Sequence, residues 1–549
     1  MYRQVLDPIA HSLGLSAIFA ALPLLVLFVM LGILRVTAWI SSLVALAVAL
    51  IVATVVYPMP VGQAFLSASI GAAFGLFPIL WIVVNAIWVY NMTVDTGHFD
   101  VLRRSFSRVS DDQRIQAIII AFCFGALMEA LAGFGAPVAI TAVMLIALGF
   151  SPLRAATVGL VANTAPVAFG ALATPITTLS TVTGFSAHDL GSTVGRQTPI
   201  LALFVPLALV FIVDGRRGVR QTWLPAVVCG LVFAVAQFVT SNFISVPLTD
   251  VIASLVSAGA VVLLLRVWQP GTASVVPATV RPVAGAAVDQ PDAGFQRRVE
   301  HPDSRSEELR AYLPYLVIIV IFVVAQIHPI LDWLNKVTRS FNWPGMHIQS
   351  AAGKVSTISV FKFNWLSAAG TLLLIAGIIT VPLLRLSAGR AVRAYGRTLN
   401  QLKFAILTVA LVLALAYVMN GSGQTATLGT WMARAGAAFA VLSPLLGWLG
   451  VAVTGSDTSS NSLFGALQVT AAGKANLSAT LMAASNSSGG VLGKMISPQN
   501  LAIAAAAVGL HGKEGDIFRR VFFWSLLFVA GMCLLVYLQS TAVLGWMLP

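Results

Sequence analysis

Apolar stretches of about 20 residues recur along the whole of this chain, which is the length a helix needs to cross roughly 30 Å of hydrocarbon. They can be read at 13–34, 38–57, 64–90, 115–131, 137–149, 153–172, 198–213, 222–241 and 248–266, then at 311–335, 361–384, 404–421, 427–451, 460–472, 477–490, 498–510 and 521–546. Four of these, 137–149, 460–472, 477–490 and 498–510, are too short to cross alone at 1.5 Å per residue, and they fall in two clusters. Counting short pieces as half-spans predicts an all-α polytopic membrane protein of about 12–14 transmembrane segments, some of them broken or re-entrant helices.

Composition agrees. Of 549 residues 58% are hydrophobic and only 9% charged, where a water-soluble fold carries about 25% charged residues. No segment is long and polar enough to be a soluble enzyme domain. The first apolar run, 13–34, has no small-residue cleavage site and is expected to be kept as the first span. The net charge of +13 sits in loops, so it reads as a topology signal and a set of lipid-headgroup contacts, not as a nucleic-acid surface. Cys123, Cys229 and Cys533 lie in apolar stretches without metal-like spacing and read as small core residues.

Lysine and arginine placement sets the expected orientation in a bacterial inner membrane. Arg385, Arg390, Arg393, Arg397 and Lys403 share one loop, Arg103, Arg104, Arg108 and Arg114 another, and Arg216, Arg217 and Arg220 a third. All three should be cytoplasmic, which leaves both termini periplasmic. The stretch 268–310, rich in Pro, Ala, Val and Gly and then charged, reads as a mobile cytoplasmic linker between a half at 1–267 and a half at 311–549.

The two halves carry related strings. Asn163-Thr164-Ala-Pro-Val-Ala-Phe-Gly170 through Thr174-Pro175 and Asn486-Ser487-Ser488-Gly-Gly-Val-Leu-Gly493 through Ser497-Pro498 both fit N-x6-G-x4-[ST]-P. Upstream of each is a polar break, Gly133-Phe-Gly135-Ala-Pro137 in the first and Thr454-Gly455-Ser456-Asp457-Thr458-Ser459-Ser-Asn461 in the second. On the charge count the spans leading into the two breaks start from opposite sides, so the repeats are inverted, a pattern of secondary transporters. Irregular backbone at membrane depth must be buried in protein or line a wet cavity. Half-helix amino termini there offer N–H groups and a positive dipole end to a carboxylate, and the serine, threonine and asparagine side chains add neutral donors. The bland alternative is that the small residues only let helices pack closely.

Charges inside spans cost about 2.5–3.5 kcal/mol each on insertion scales, so each is a site candidate. Glu129, four residues before the first break, and Asp457, within the second, are the candidate proton carriers, since a carboxyl in a low-dielectric pocket has its protonated form favoured. Glu129 could instead hold a helix end or pair with an arginine, and Asp457 could cap a helix. Lys494, whose repeat mate is Ala171, could meet an anionic substrate, pair with Asp457 or snorkel to the interface. Arg154, Arg196 and Lys474 read as interfacial anchors, and His328 and His347 carry no ligand spacing. The nearest approach to a phosphate loop, Gly490-Val-Leu-Gly493-Lys494-Met495, lacks the first glycine and the hydroxyl residue after lysine. No enzyme motif, cofactor site or metal site is expected.

Glu129-Ala-Leu-Ala-Gly-Phe-Gly-Ala-Pro137, Asn163 to Gly170, Gly455-Ser-Asp457-Thr-Ser-Ser-Asn461-Ser-Leu-Phe-Gly465 and Asn486 to Asn500 together resemble the L-lactate permease family, which includes glycolate permeases, over essentially the whole chain. The resemblance implies proton symport of L-lactate or a close 2-hydroxymonocarboxylate such as D-lactate or glycolate. It also implies an ion-transporter-superfamily fold, often dimeric and elevator-like. The substrate-binding candidates are then Gly133, Gly135, Asn163, Thr164, Gly455, Ser456, Thr458, Ser459, Asn461, Asn486, Ser487, Ser488 and Lys494. Rival readings are a sodium-coupled carboxylate carrier or a sodium/proton antiporter on a similar scaffold, a channel, and a membrane-embedded enzyme.

Overall fold

The structure, a computed structural model, describes residues 2–549 except 35, 108, 111, 132, 134, 270–303, 326, 352, 354–355 and 511–512. Among the described residues ten helical runs are long and apolar enough to cross a membrane, or up to eleven if the bent pair Pro152–Ala162 and Val167–Thr183 is one span. Two shorter apolar helices, Ala136–Ala147 and Ala369–Leu383, accompany them. Some runs hold more than one passage: the helix Val205–Val239 breaks at Asp214, Gly215 and Thr222, which separates the crossings expected at 198–213 and 222–241.

Two expected spans come out differently. The stretch 311–335 divides into Arg305–Ala325 and His328–Asn335, because Pro329 starts a new helix after a polar break. The stretch 361–384 opens as a strand, Val360–Phe363, paired antiparallel with Arg339–Asn342, and only Ala369–Leu383 is helical. Its alternation of Val360, Phe361 and Phe363 with Lys362 suits a pleat, and the ring of Phe361 packs on Phe341 and Trp343. Most of the expected linker, 270–303, and Arg108 lie outside the described residues, while Arg305 to Arg310 form the start of the Arg305–Ala325 helix.

The three basic loops meet on one face. Arg397 pairs with Asp95, and the Asn91 amide donates to Thr398 at 2.8 Å and to Gln401 at 3.1 Å. Arg114 is not the exposed topology charge its loop suggested. It is fully buried, paired with Asp112 at 2.6 Å and Asp214 at 3.2 Å, and donates to Gln221 at 2.5 Å. Both termini lie on the other face. The Tyr2 hydroxyl donates to the carbonyls of Tyr57 and Ser422, at the far end of the helix that carries Arg397, and Arg196 donates to the Met547 carbonyl at 2.8 Å.

Between these faces stand two helical hairpins that enter from opposite sides. In the first, Gln113–Leu131 runs inward from the basic face and Ala136–Ala147 returns to it, closed at the base by Gln113 donating to the Leu148 carbonyl at 3.0 Å. In the second, Phe439–Thr454 and Asp457–Ala475 enter from the face of the termini, where Ala466, Val469 and Thr470 border a cleft shared with Gln4 and Asn420. Gly133, Gly135 and Gly455, with φ of 54°, 84° and 74°, turn the two tips in the left-handed region that glycine adopts without cost. Beside each hairpin runs a helix interrupted at membrane depth. Pro152–Ala162 gives way to a bent turn before Gly170–Thr183, and Ala479–Gly493 gives way to a short turn at Lys494–Ile496 before Pro498–Ala507. The inverted repeat expected from the two strings is therefore present as two hairpin and broken-helix units.

Packing in the second unit depends on small residues. A Cβ on Gly489 would stand 2.1 Å from the Pro444 carbonyl oxygen, and one on Gly447 would stand 1.9 Å from that of Asn486, so the two helices touch backbone to backbone. Gly473, by contrast, faces open space. Gly489→Ala should cost about 1–3 kcal/mol by overpacking and lower the melting temperature in detergent, while Gly473→Ala leaves it unchanged or slightly raised.

Candidate functional site

The two hairpin tips and the two helix breaks converge on one small cavity. Glu129, Gly133, Gly170, Ala171, Thr174, Gly455, Ser456, Asp457, Thr458, Lys494 and Gln499 line it, and its volume is about 50 Å³. At about 10–15 Å³ for each water-sized probe, this holds a few waters or a solute of comparable size.

At its centre the Lys494 ammonium pairs with Glu129 Oε1 at 2.5 Å, with both side chains almost wholly buried. This corrects the alternatives drawn from sequence, in which Lys494 paired with Asp457 or reached for the interface. Its partner is the carboxyl of the other repeat, and the lysine shares the cavity wall with Asp457. Glu129 Oε2 accepts from the Asn163 amide at 2.9 Å. A Cβ on Gly170 would lie 2.8 Å from Glu129 Oε1, so only glycine leaves the carboxylate its place.

Asp457 is held differently. Ser487 donates to its Oδ2 at 2.5 Å and Asn461 at 3.5 Å, while Oδ1 meets no partner among the described residues. The cap of the helix Asp457–Ala475 is Ser456, whose hydroxyl accepts from the Ser459 amide, so the capping role considered for Asp457 belongs to its neighbour.

The remaining residues named from sequence sort by position. Gly133, Gly455, Ser456 and Thr458 line the cavity, whereas Gly135 turns toward Ile503 and Asn500. Thr164 bonds back to the Val161 carbonyl and closes a helix end. Asn461 donates to the Pro175 carbonyl and accepts from Asn486, and Ser488 donates to Gln197 at 2.6 Å, so this group ties the wall together from behind. Ser459 and Ser456 border a larger cleft of about 1060 Å³, which also touches Trp39, Phe404 and Glu514 near the basic face. That cleft shares Ser456 and Gln499 with the cavity, so the two adjoin on the side toward the basic face.

Sequence reasoning missed Gln499 and Thr174 as lining residues, although both lie inside the strings that marked the site. It also missed a feature with no sequence signal. Ala171, Leu172 and Ala173 form a left-handed turn, with φ of 42°, 54° and 59°, beside the cavity. Such a turn costs roughly 1–2 kcal/mol per non-glycine residue and persists only where surrounding packing enforces it.

The sequence model of the L-lactate permease family matches residues 16–543. The chain is 41% identical over 561 residues to the L-lactate permease of Escherichia coli K12, with all of both chains covered. It is also 41% identical over 571 residues to that of Bacillus subtilis, again with full coverage of both. The chain belongs to the L-lactate permease family. It is a multi-pass membrane transporter and not an enzyme. Glycolate permease GlcA of Escherichia coli K12 matches as well, at 41% identity over 97% of each chain. A solved YdaH transporter from Alcanivorax borkumensis aligns over 85% of this chain and 86% of its own, at 15% identity and a TM-score of 0.45.

In this permease, breaking the ion pair from one side should be strongly destabilising. Lys494→Ala leaves Glu129 buried beside no cation and should cost about 3–5 kcal/mol, read as a lowered melting temperature of the purified protein. Adding Glu129→Gln to that variant removes the stranded charge and should recover most of the loss.

Proposed function

We propose that this permease takes L-lactate and related 2-hydroxymonocarboxylates, D-lactate and glycolate among them, across the bacterial inner membrane together with a proton. The observation that carries this reading is the Lys494–Glu129 pair in the wall of a small cavity between two helix breaks. The names of the lactate and glycolate permeases among its relatives support the substrate class.

An arriving carboxylate competes with Glu129 for the Lys494 ammonium. The displaced Glu129 would be a buried carboxylate without a cation, a state that costs several kcal/mol unless a proton neutralises it. Substrate binding and protonation of Glu129 therefore favour each other, as linked equilibria must. The empty carrier crosses with Lys494 paired to Glu129. The loaded carrier crosses with Lys494 paired to substrate and Glu129 protonated. Neither form moves a net charge at this site, whereas an anion moving alone against the membrane potential would cost about 2.3 kcal/mol per 100 mV. Gly133, Gly455, Ser456 and Thr458 receive the rest of the substrate, and Asp457, with one oxygen unpartnered, is a further group able to hold a proton.

With the basic loops in the cytoplasm, both termini are periplasmic and the large cleft gives the cavity access to the cytoplasm. A membrane-impermeant thiol reagent should then label Ser459→Cys from the side of the basic loops and not from the side of the termini. In proteoliposomes Glu129→Gln should abolish lactate uptake driven by a pH gradient, and Lys494→Ala should raise the lactate KM by about tenfold or more. Normal gradient-driven uptake by Glu129→Gln, or uptake that follows a sodium gradient instead, would overturn the reading.

A further inference from the structure

A third carboxyl, Asp250, stands in the same half of the molecule. It is the second residue of the helix Thr249–Val267, which begins just after the turns Thr240–Ile244 and Val246–Leu248. Those turns belong to the face of the termini, since Asn242 in them accepts from Arg196, the residue that holds the Met547 carbonyl. Asp250 is nonetheless fully buried. Its helix packs against the hairpin arm that carries Glu129.

Its surroundings are sparse and directional. Gln237 donates to Asp250 Oδ1 at 2.8 Å, and Oδ2 has no partner among the described residues. The Gln237 carbonyl oxygen is occupied by the Thr198 hydroxyl at 3.2 Å, which fixes the amide so that its N–H groups point at Asp250 and at the Ala165 carbonyl. Ala165 lies in the helix break, two residues after the Asn163 that holds Glu129. Among the described residues, Glu129 is the charged residue of Gly125–Leu131, the segment packed against the helix of Asp250. Asp214, Arg216, Arg217 and Arg220 stand at the far end of the helix that carries Gln237, and the Cys123–Cys229 pair lies two turns away at Ser257. The buried cation of the region, Lys494, is already paired to Glu129.

We infer that Asp250 is a further proton-binding carboxyl of the carrier, placed between the face of the termini and Glu129 to supply the proton that Glu129 takes up. The inference rests on the lactate reading above. When substrate draws Lys494 away, the Asp250 O–H bond breaks and a Glu129 O–H bond forms. Asp250 is then reprotonated from the face of the termini. A buried carboxyl that has, among the described residues, one donor, no cation and one unpartnered oxygen suits a group that changes protonation. A carboxyl that only tied two helices would be served equally well by an asparagine.

That difference is the test. Asp250→Asn is reconstituted in proteoliposomes with labelled L-lactate, and counterflow at equal pH is compared with accumulation driven by a pH gradient. Accumulation should fall by about tenfold or more, the scale of a lost proton-transfer group, and counterflow should fall far less. Accumulation equal to the wild type would overturn the inference, and so would equal loss of both, which would make Asp250 a structural residue. If Asp250→Asn does not reconstitute, Gln237→Leu leaves the carboxyl in place without its donor. It should move the pH at which uptake is half-maximal, and an unmoved pH profile would overturn the inference. Absence of lactate counterflow in the wild type removes the lactate reading and this inference with it.

Discussion

A buried lysine and a buried glutamate from opposite repeats share one hydrogen-bonded contact at membrane depth, and much of the surrounding architecture follows from keeping that contact viable. Hydrocarbon solvates neither charge, so each needs the other and each needs further donors or acceptors. Asn163 supplies one to Glu129. Gly170 supplies the space for the carboxylate, and the left-handed turn at Ala171 to Ala173 carries the chain past it. Breaking two helices at this depth would strand backbone amides in lipid. The hairpins entering from opposite faces enclose those breaks in protein.

The two units are related in architecture and unequal in chemistry. Asn163 and Asn486 are repeat mates, yet one holds Glu129 and the other joins Asn461 and Gln468 in a neutral network. Glu129 sits on the inward arm of its hairpin and Asp457 on the returning arm of the other. Lys494 faces a repeat mate, Ala171, with no charge at all. Among the described residues that line the cavity, this asymmetry leaves one cation, Lys494, beside two carboxyls, Glu129 and Asp457. A single exchangeable counter-charge is a sufficient physical basis for linking the occupancy of two ligands.

Much of the fold was legible because membrane insertion constrains sequence strongly. Span length, the two clusters of short segments and the Gly-Pro-Asn-Ser breaks each report a backbone that cannot be satisfied in lipid, and the hairpins and broken helices stand where those strings lie. Residues whose pairing depends on a distant segment were less legible. Lys494 was recognised as a site residue, but its partner lies 365 positions away on a different arm, and no local spacing encodes that contact. Arg114 reads as a loop charge until Asp112, Asp214 and Gln221 close around it. Asp250 is a first-turn acid of a largely apolar helix, and only the tertiary fold buries it. The strand Val360–Phe363 was lost for the opposite reason, since its apolar run merges with the helix that follows.

The central claim is that an anion and a proton are linked through one lysine. The most direct measurement is proton exchange on L-lactate binding to the purified protein, by calorimetry in buffers of differing ionisation enthalpy near neutral pH. The account predicts net proton uptake as lactate binds, and its disappearance when Glu129 is replaced by glutamine. Lactate binding without proton uptake in the unaltered protein would contradict it.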